Sequence, residues 1–218
     1  LADMFPEAPI YTLLYDRDGM RGMFDDRDVR TSFLGKWPRF LRRRHRWLLP
    51  LYGAATEAID LRDFDLVISS SGAWTKGIVT RLRTKHVAYI HSPMRFVWDE
   101  NERYLRESGG FHFCKRIMLS YLRLWDFEAA ARPDVLIANS RYTAARIEKY
   151  YRRPSEIVYP PVRALVSTDR AALDIRDRPF VTVSRLSKYK QVESIVRAFD
   201  MLELPLVVVG TGRESEAL

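Results

Sequence analysis

Apolar positions along this chain follow two periods. Short β-branched runs cover residues 9–15, 65–71, 85–91 and 134–139, each bounded by polar or turn-forming residues, and read as strands. Between them, residues 48–61, 113–131 and 140–151 repeat apolar side chains every three or four positions, as buried helix faces do. Ser140 stands where it would cap the last of these helices. Residues 16–28 are acidic and turn-rich, and 3–6 read as the close of a helix. Strands alternating with helices predict a mostly parallel α/β sheet covered on both faces. Pro160 and Pro161 then stiffen a connector. A polar stretch runs on to Pro179, so a domain boundary is expected between about residues 162 and 178.

Past that boundary the pattern restarts. Residues 180–184 form an apolar run that ends in Arg185-Leu-Ser-Lys-Tyr-Lys190. Val192, Ile195, Val196 and Phe199 follow at helical spacing, and residues 204–209 read as another buried strand ending in Gly210-Thr-Gly212. A strand, a loop with two cations five residues apart and a helix N-terminus suit a phosphate or diphosphate. A solvated turn is the competing reading of the same loop. Small residues at Gly210 and Gly212 let a ligand approach the backbone, and both loops would share the carboxyl edge of the sheet.

Four ordered segments give a resemblance. Ser184-Arg-Leu-x-x-x-Lys190, Tyr89-Ile-His-Ser-Pro-Met-Arg-Phe-Val-Trp-Asp99, Ala138-Asn-Ser-Arg-Tyr-Thr-Ala-Ala-Arg-Ile147 and Ile157-Val-Tyr-Pro-Pro-Val162 resemble glycosyltransferase family 4. The His-Ser-Pro-Met-Arg and Tyr-Pro-Pro-Val forms are most similar to its mannosyltransferase subgroup, which includes O-antigen enzymes. The resemblance runs from about Phe5 to the end. Gln191 departs from it, since many members carry glycine after the lysine.

The resemblance implies a GT-B fold of two Rossmann-like domains. Residues 1–162 would be the acceptor-side domain lacking its first strand and glycine-rich loop, 163–178 the linker, and 179–218 the start of the nucleotide-sugar domain. The chain is accordingly expected to be a fragment, with residues 213–218 opening a helix. The family's paired glutamates, which contact the donor sugar and ribose, would lie beyond Leu218, and the fragment alone should be inactive. The implied reaction is retaining transfer of a hexose, with GDP-mannose as the best single donor, to a glycan or lipid-linked acceptor. His91 would orient the sugar in the interdomain cleft as the catalytic residue. Arg185 and Lys190 would bind the donor diphosphate in place of a metal, so neither metal nor cofactor is expected. Ser92, Arg95, Gly210 and Gly212 are candidate donor or acceptor contacts. Arg95 could equally pair with Asp99 or Glu100. Phe96 and Trp98 read as packing residues, and His86 and His112 as structural.

Composition narrows the remaining classes. No run of eighteen apolar residues suggests a membrane span, and no secretory signal opens the chain. Cys114 is the single cysteine, so no intramolecular disulfide can form, which fits a reducing, cytoplasmic compartment. Formal net charge is +8, from 36 basic and 28 acidic side chains. Lys36, Arg39, Arg42, Arg43, Arg44 and Arg46 supply most of that excess. On a helical projection Trp37, Phe40, Leu41, Trp47 and Leu48 share one face opposite most of these cations, with Arg44 intruding. Such a helix is drawn to an anionic membrane, peripherally on its inner face, or simply packs on its own sheet. No nucleic-acid motif accompanies it. A non-catalytic basic module binding anionic lipid or polysaccharide is therefore the alternative to an enzyme. A nucleotide-dependent epimerase is weaker, because no dinucleotide fingerprint is present.

Overall fold

The computed structural model describes residues 2–43, 45–108, 112–162 and 179–215. The chain divides into two compact units, Leu1–Pro161 and Val162–Leu218. The expected linker, 163–178, lies outside the described residues.

The first unit is a parallel α/β structure, as the alternating pattern predicts. Strands β1 (Ile10–Thr12) and β2 (Val29–Thr31) form a small parallel pair. Helices α1 (Arg39–Arg43) and α2 (Tyr52–Glu57) follow. The main sheet has the order β3 (Leu66–Ser71), β4 (Lys85–Ile90), β5 (Val135–Ala138), β6 (Glu156–Ile157), all parallel. Helices α3 (Asn101–Ser108) and α4 (His112–Ala131) lie between β4 and β5 in sequence, and α5 (Arg141–Tyr151) between β5 and β6. Ala88, Ile90, Leu136 and Ala138 of the sheet pack against Ala130 of α4 and Ile147 and Tyr151 of α5. A second cluster, with Met94, Val97, Leu105, Leu122 and Trp125, joins α3 and α4 to the loop after β4. No described helix is long and apolar enough to cross a membrane.

The second unit is one β-α-β turn of chain. Strand β7 (Phe180–Val183) pairs in parallel with β8 (Leu206–Val209), from Phe180 opposite Leu206 to Val183 opposite Val209. Helix α6 (Val192–Met201) connects them and packs Phe199 on Phe180, with ring centroids 5.0 Å apart.

Two expectations need correction. Residues 48–61 are not one helix: a 3₁₀ turn, His45–Leu51, contains Pro50, and α2 ends at Glu57. Proline has no N–H to give a preceding turn, so the helical ladder starts only after it. The basic segment is not one helix either. Lys36 closes a 3₁₀ turn, Pro38 follows, and α1 is five residues long. The projected apolar face therefore comes apart: Trp37 packs with Leu34, Leu48, Tyr52 and Ala55, whereas Phe40 is 66% exposed. The side chains of Arg43, Arg44, Arg46 and Trp47 lie outside the described residues. Residues 213–215 form a turn, and 216–218, over which the expected helix would run on, lie outside the described residues. Strand β2, helix α3 and the two-residue β6 carry no expectation from the sequence.

Candidate active site

His91 is placed by the end of β4. Its N–H donates to Ser71 O at 2.9 Å, which extends the β3–β4 ladder one residue past the strand. The alternation that buries Ala88 and Ile90 leaves His91 exposed at the carboxyl edge. Its Nε2 lies 2.8 Å from Ser70 Oγ, and its ring meets Tyr89 edge to face at 5.4 Å. Its carbonyl accepts from Asn139 Nδ2 at 3.1 Å and from Thr143 Oγ1 at 3.3 Å. The ring is thus held by Ser70 and Tyr89, and the backbone that carries it by Ser71, Asn139 and Thr143. Helix α5 starts beside it, with Ser140 accepting from Thr143 N at 3.2 Å as its cap.

The loop after His91 is held from behind. Arg146 of α5, 5% exposed, pairs with both carboxylate oxygens of Asp99 and donates to Pro93 O at 3.4 Å. Asp99 is held below the usual carboxylate range, first by its hydrogen bond from Arg146. Trp98 Nε1 donates to Asp126 of α4 at 2.8 Å. Asp126 also receives Tyr151 Oη at 2.9 Å and Lys76 Nζ at 2.5 Å, and both members of the Lys76–Asp126 pair are essentially buried. Burial pulls the Lys76 ammonium below its ordinary value while Asp126 pushes it back up. Burial, and next the charge of Asp126, raise the Tyr151 phenol well above its usual range. Trp98 and Phe96 do pack, as the sequence suggested, but the Trp98 indole is also a tether.

Other expected contacts are less organised. Ser92 Oγ donates to Pro93 O at 2.9 Å, and Arg95 is an exposed partner of Glu100 at 3.6 Å rather than of Asp99. His86 is fully buried with Nε2 2.8 Å from Ser69 Oγ, and burial lowers its pKa to about 4. That is a structural histidine. The His112 side chain lies outside the described residues. Arg146, Asp126 and Lys76 had no role assigned from sequence, and Asp99 only one as a partner of Arg95. Arg146 stands in the 138–147 motif, whose helical spacing could have turned it toward the loop; Lys76 and Asp126 are 50 positions apart and carry no local signal.

In the second unit Arg185 leaves the carboxyl end of β7 and Lys190 closes a 3₁₀ turn, Lys188–Lys190. Both side chains are exposed, and among the described residues neither forms an ion pair. The Lys190 ammonium lies 5.3 Å from the Tyr189 ring centroid. Gln191 adopts the left-handed region, φ 50° and ψ 37°, and α6 starts after it with no side-chain cap. The glycines have a packing explanation. A Cβ on Gly210 would lie 1.8 Å from Ser184 O, and one on Gly212 1.8 Å from Leu186 O. The loop after β8 is thus pressed against the backbone of the basic loop and bonds to it, Leu186 N donating to Thr211 O at 3.0 Å. Among the described residues no three His, Cys, Asp or Glu side chains gather as a metal site.

Residues 12–164 match the profile of Glycosyltransferase Family 4. No curated protein matches the chain. The match begins within β1, spans β3 to β6 and the His91 loop, and covers more than half of the sequence, so the chain belongs to glycosyltransferase family 4 and its activity is sugar transfer.

Proposed function

We propose that this chain belongs to a retaining hexosyltransferase that moves mannose from GDP-mannose to a glycan or lipid-linked hydroxyl. The sugar C1–O bond to the diphosphate breaks and the acceptor oxygen bonds to C1 on the same face. The hydroxyl proton leaves to the departing diphosphate. His91 orients the sugar and disperses charge at the reacting carbon. Arg185 and Lys190 neutralise the diphosphate as its charge develops, and the start of α6 adds its dipole. Ser92 and Arg95, and the backbone at Gly210 and Gly212, stand as further donor or acceptor contacts.

One observation carries the reading: His91 is exposed at a carboxyl strand edge, with its ring held by Ser70 and its backbone carbonyl by Asn139 and Thr143. A histidine held still and left open to solvent is arranged for a ligand rather than for packing. Arg185 and Lys190 in the loop after β7, with no ion pair among the described residues, support the donor half, and the His-Ser-Pro-Met-Arg and Tyr-Pro-Pro-Val forms support the sugar. In the complete protein, Arg185→Ala and Lys190→Ala should each lower mannosyl transfer from GDP-mannose by about 100-fold or more with folding intact. Near-normal turnover in both would refute the assignment, and transfer from another nucleotide sugar alone would move the donor. Donor hydrolysis or transfer also excludes a non-catalytic basic module.

Peripheral attachment to an anionic inner membrane surface belongs to the same proposal. Exposed Phe33 and Phe40 beside exposed Lys36 and Arg39 support it. Arg39 already pairs with Asp18 at 3.2 Å, and Arg42 turns inward to Tyr15 O at 3.4 Å, which leaves fewer cations for lipid than the sequence offered.

A further inference from the structure

Helix α4 is apolar on both sides. Leu119, Leu122, Trp125 and Ala129 turn inward and join the second core cluster. The opposite side faces solvent, yet Phe113 is 75%, Ile117 56%, Tyr121 57%, Leu124 63% and Phe127 38% exposed there. Helix α5 shows the ordinary arrangement, with Arg141, Glu148 and Lys149 on its open side. A helix that is hydrophobic all round is a buried helix, so the outer side of α4 is built to be covered. Its five large side chains expose about 500 Å² of apolar surface, near the upper end for the largest patch on a monomer.

The order of side chains on that face says what covers it. Phe113, Ile117, Ser120, Leu124, Phe127 and Ala131 advance by four and three residues in turn. That is the period of a coiled-coil seam, which takes another helix by setting knobs into holes. The seam is also complementary to itself when reversed. Two antiparallel copies, related by a two-fold axis level with Leu122, set Phe113 against the partner's Ala131 and Ser120 against the partner's Leu124. Ile117 then meets the partner's Phe127, and Tyr121 the partner's Tyr121 beside the axis. A parallel pair would set Ser120 on the partner's Ser120 and Ala131 on the partner's Ala131, leaving gaps beside crowded phenylalanines. Lipid is a poorer occupant. The charges on this face are Arg116 and Glu128, which cancel, and Arg116 already pairs with Glu102 at 3.0 Å. The face therefore offers an anionic surface no excess of positive charge.

We infer that the outer side of α4 is a homodimer interface, covered by the α4 of a second copy of this chain lying antiparallel to it. A two-fold contact uses one patch twice and so requires a patch that fits itself, as the reversed seam does. About 500 Å² of apolar surface from each copy, with Arg116, Ser120 and Glu128 at the rim, approaches the roughly 800 Å² per partner of a stable interface. None of the residues assigned to sugar transfer stands on this face, so the inference does not depend on the donor or acceptor proposed above.

Sedimentation equilibrium of the complete protein tests this. A dimer is expected, and Leu124→Glu should raise its dissociation constant by at least about 100-fold with thermal unfolding of the monomer unchanged. Cross-linking then reads the direction of the pair. In a Cys114→Ser background, Ile117→Cys with Phe127→Cys should join two copies through a short bis-maleimide, and Ile117→Cys alone should not. Within one helix these positions are about 15 Å apart, so the linker does not close inside a chain. A protein still monomeric at about 100 μM overturns the inference. So does a monomer that binds anionic vesicles through Leu124, since lipid would then be the occupant. A dimer that survives Leu124→Glu and does not cross-link overturns it by placing the interface elsewhere, and cross-linking of Ile117→Cys alone overturns the antiparallel pairing. Should Leu124→Glu not fold, the paired cysteines decide alone.

Discussion

The indole N–H of Trp98 donates to Asp126 at 2.8 Å, and through that bond the loop carrying His91 is tied to the C-terminal half of α4. Asp126 is fully buried and also accepts from Tyr151 and Lys76, so one carboxylate compensates three donors from three parts of the chain. Replacing Asp126 by Ala would leave the Lys76 ammonium buried without a counter-charge. The expected loss is about 3–5 kcal/mol in denaturant unfolding. Lys76→Met should cost clearly less, because Asp126 would keep two donors and the apolar stem would be retained. Equal losses in the two variants would mean that the pair, rather than the shared acceptor, carries the stability.

Arg146 has a different part. Its fork holds Asp99 on two oxygens and reaches Pro93 O, so it spans the loop that begins at His91. Lysine offers one point of charge and no fork, so Arg146→Lys should not substitute. Both Arg146→Lys and Arg146→Ala should lower transfer in the complete protein, the former mainly through kcat and with a loss of about 1–2 kcal/mol in stability. A fully active Arg146→Lys enzyme would show that the loop is positioned without the fork.

His86 gives a pH dependence whose sign can be stated. Burial lowers its folded pKa to about 4, from an ordinary value of 6.5, with Asp134 opposing the shift. Between those values the unfolded chain binds the proton and the folded one does not. Stability therefore falls as pH drops from about 6.5 toward 4, by about 3 kcal/mol when complete. Unfolding midpoints at pH 7 and pH 4.5 would measure it, and His86→Gln, which can still bond Ser69, should flatten the difference. An unchanged pH slope in that variant would assign the acid loss elsewhere.

Legibility in the sequence followed range. The strand ending at His91 and the helix capped by Ser140 could be read because a local apolar period and a local cap set them. Strand β2 could not, because Val29-Arg-Thr31 follows an acidic stretch and is too short to show a period. The basic segment misled because a projection assumes an unbroken helix, whereas Pro38 separates a 3₁₀ turn from a five-residue helix there. His91 was visible from its place after an apolar run. Its supports were not: Ser70, Asn139 and Asp126 reach the loop across 21, 48 and 28 residues, distances that only the folded sheet closes.

Two positions around the basic loop of the second unit should respond to substitution in opposite ways. Gln191 sits at φ 50°, where a side chain is strained by about 1 kcal/mol or more and glycine is not. Gln191→Gly removes that strain at some cost in unfolded-chain entropy, so a gain of up to about 1 kcal/mol is expected. Gly210 has no such freedom to spare. A methyl group there would lie 1.8 Å from Ser184 O, a backbone atom that can move only by opening the β7–β8 register. Gly210→Ala should cost about 1–3 kcal/mol or more and displace Arg185, which follows Ser184 directly. Thermal unfolding of the two variants checks the signs, and binding of GDP, the product of the proposed reaction, checks the displacement. Gly210→Ala should weaken GDP binding while Gln191→Gly leaves it intact. A Gly210→Ala protein with normal stability and normal GDP affinity would show that the backbone contact at Ser184 does not set the loop.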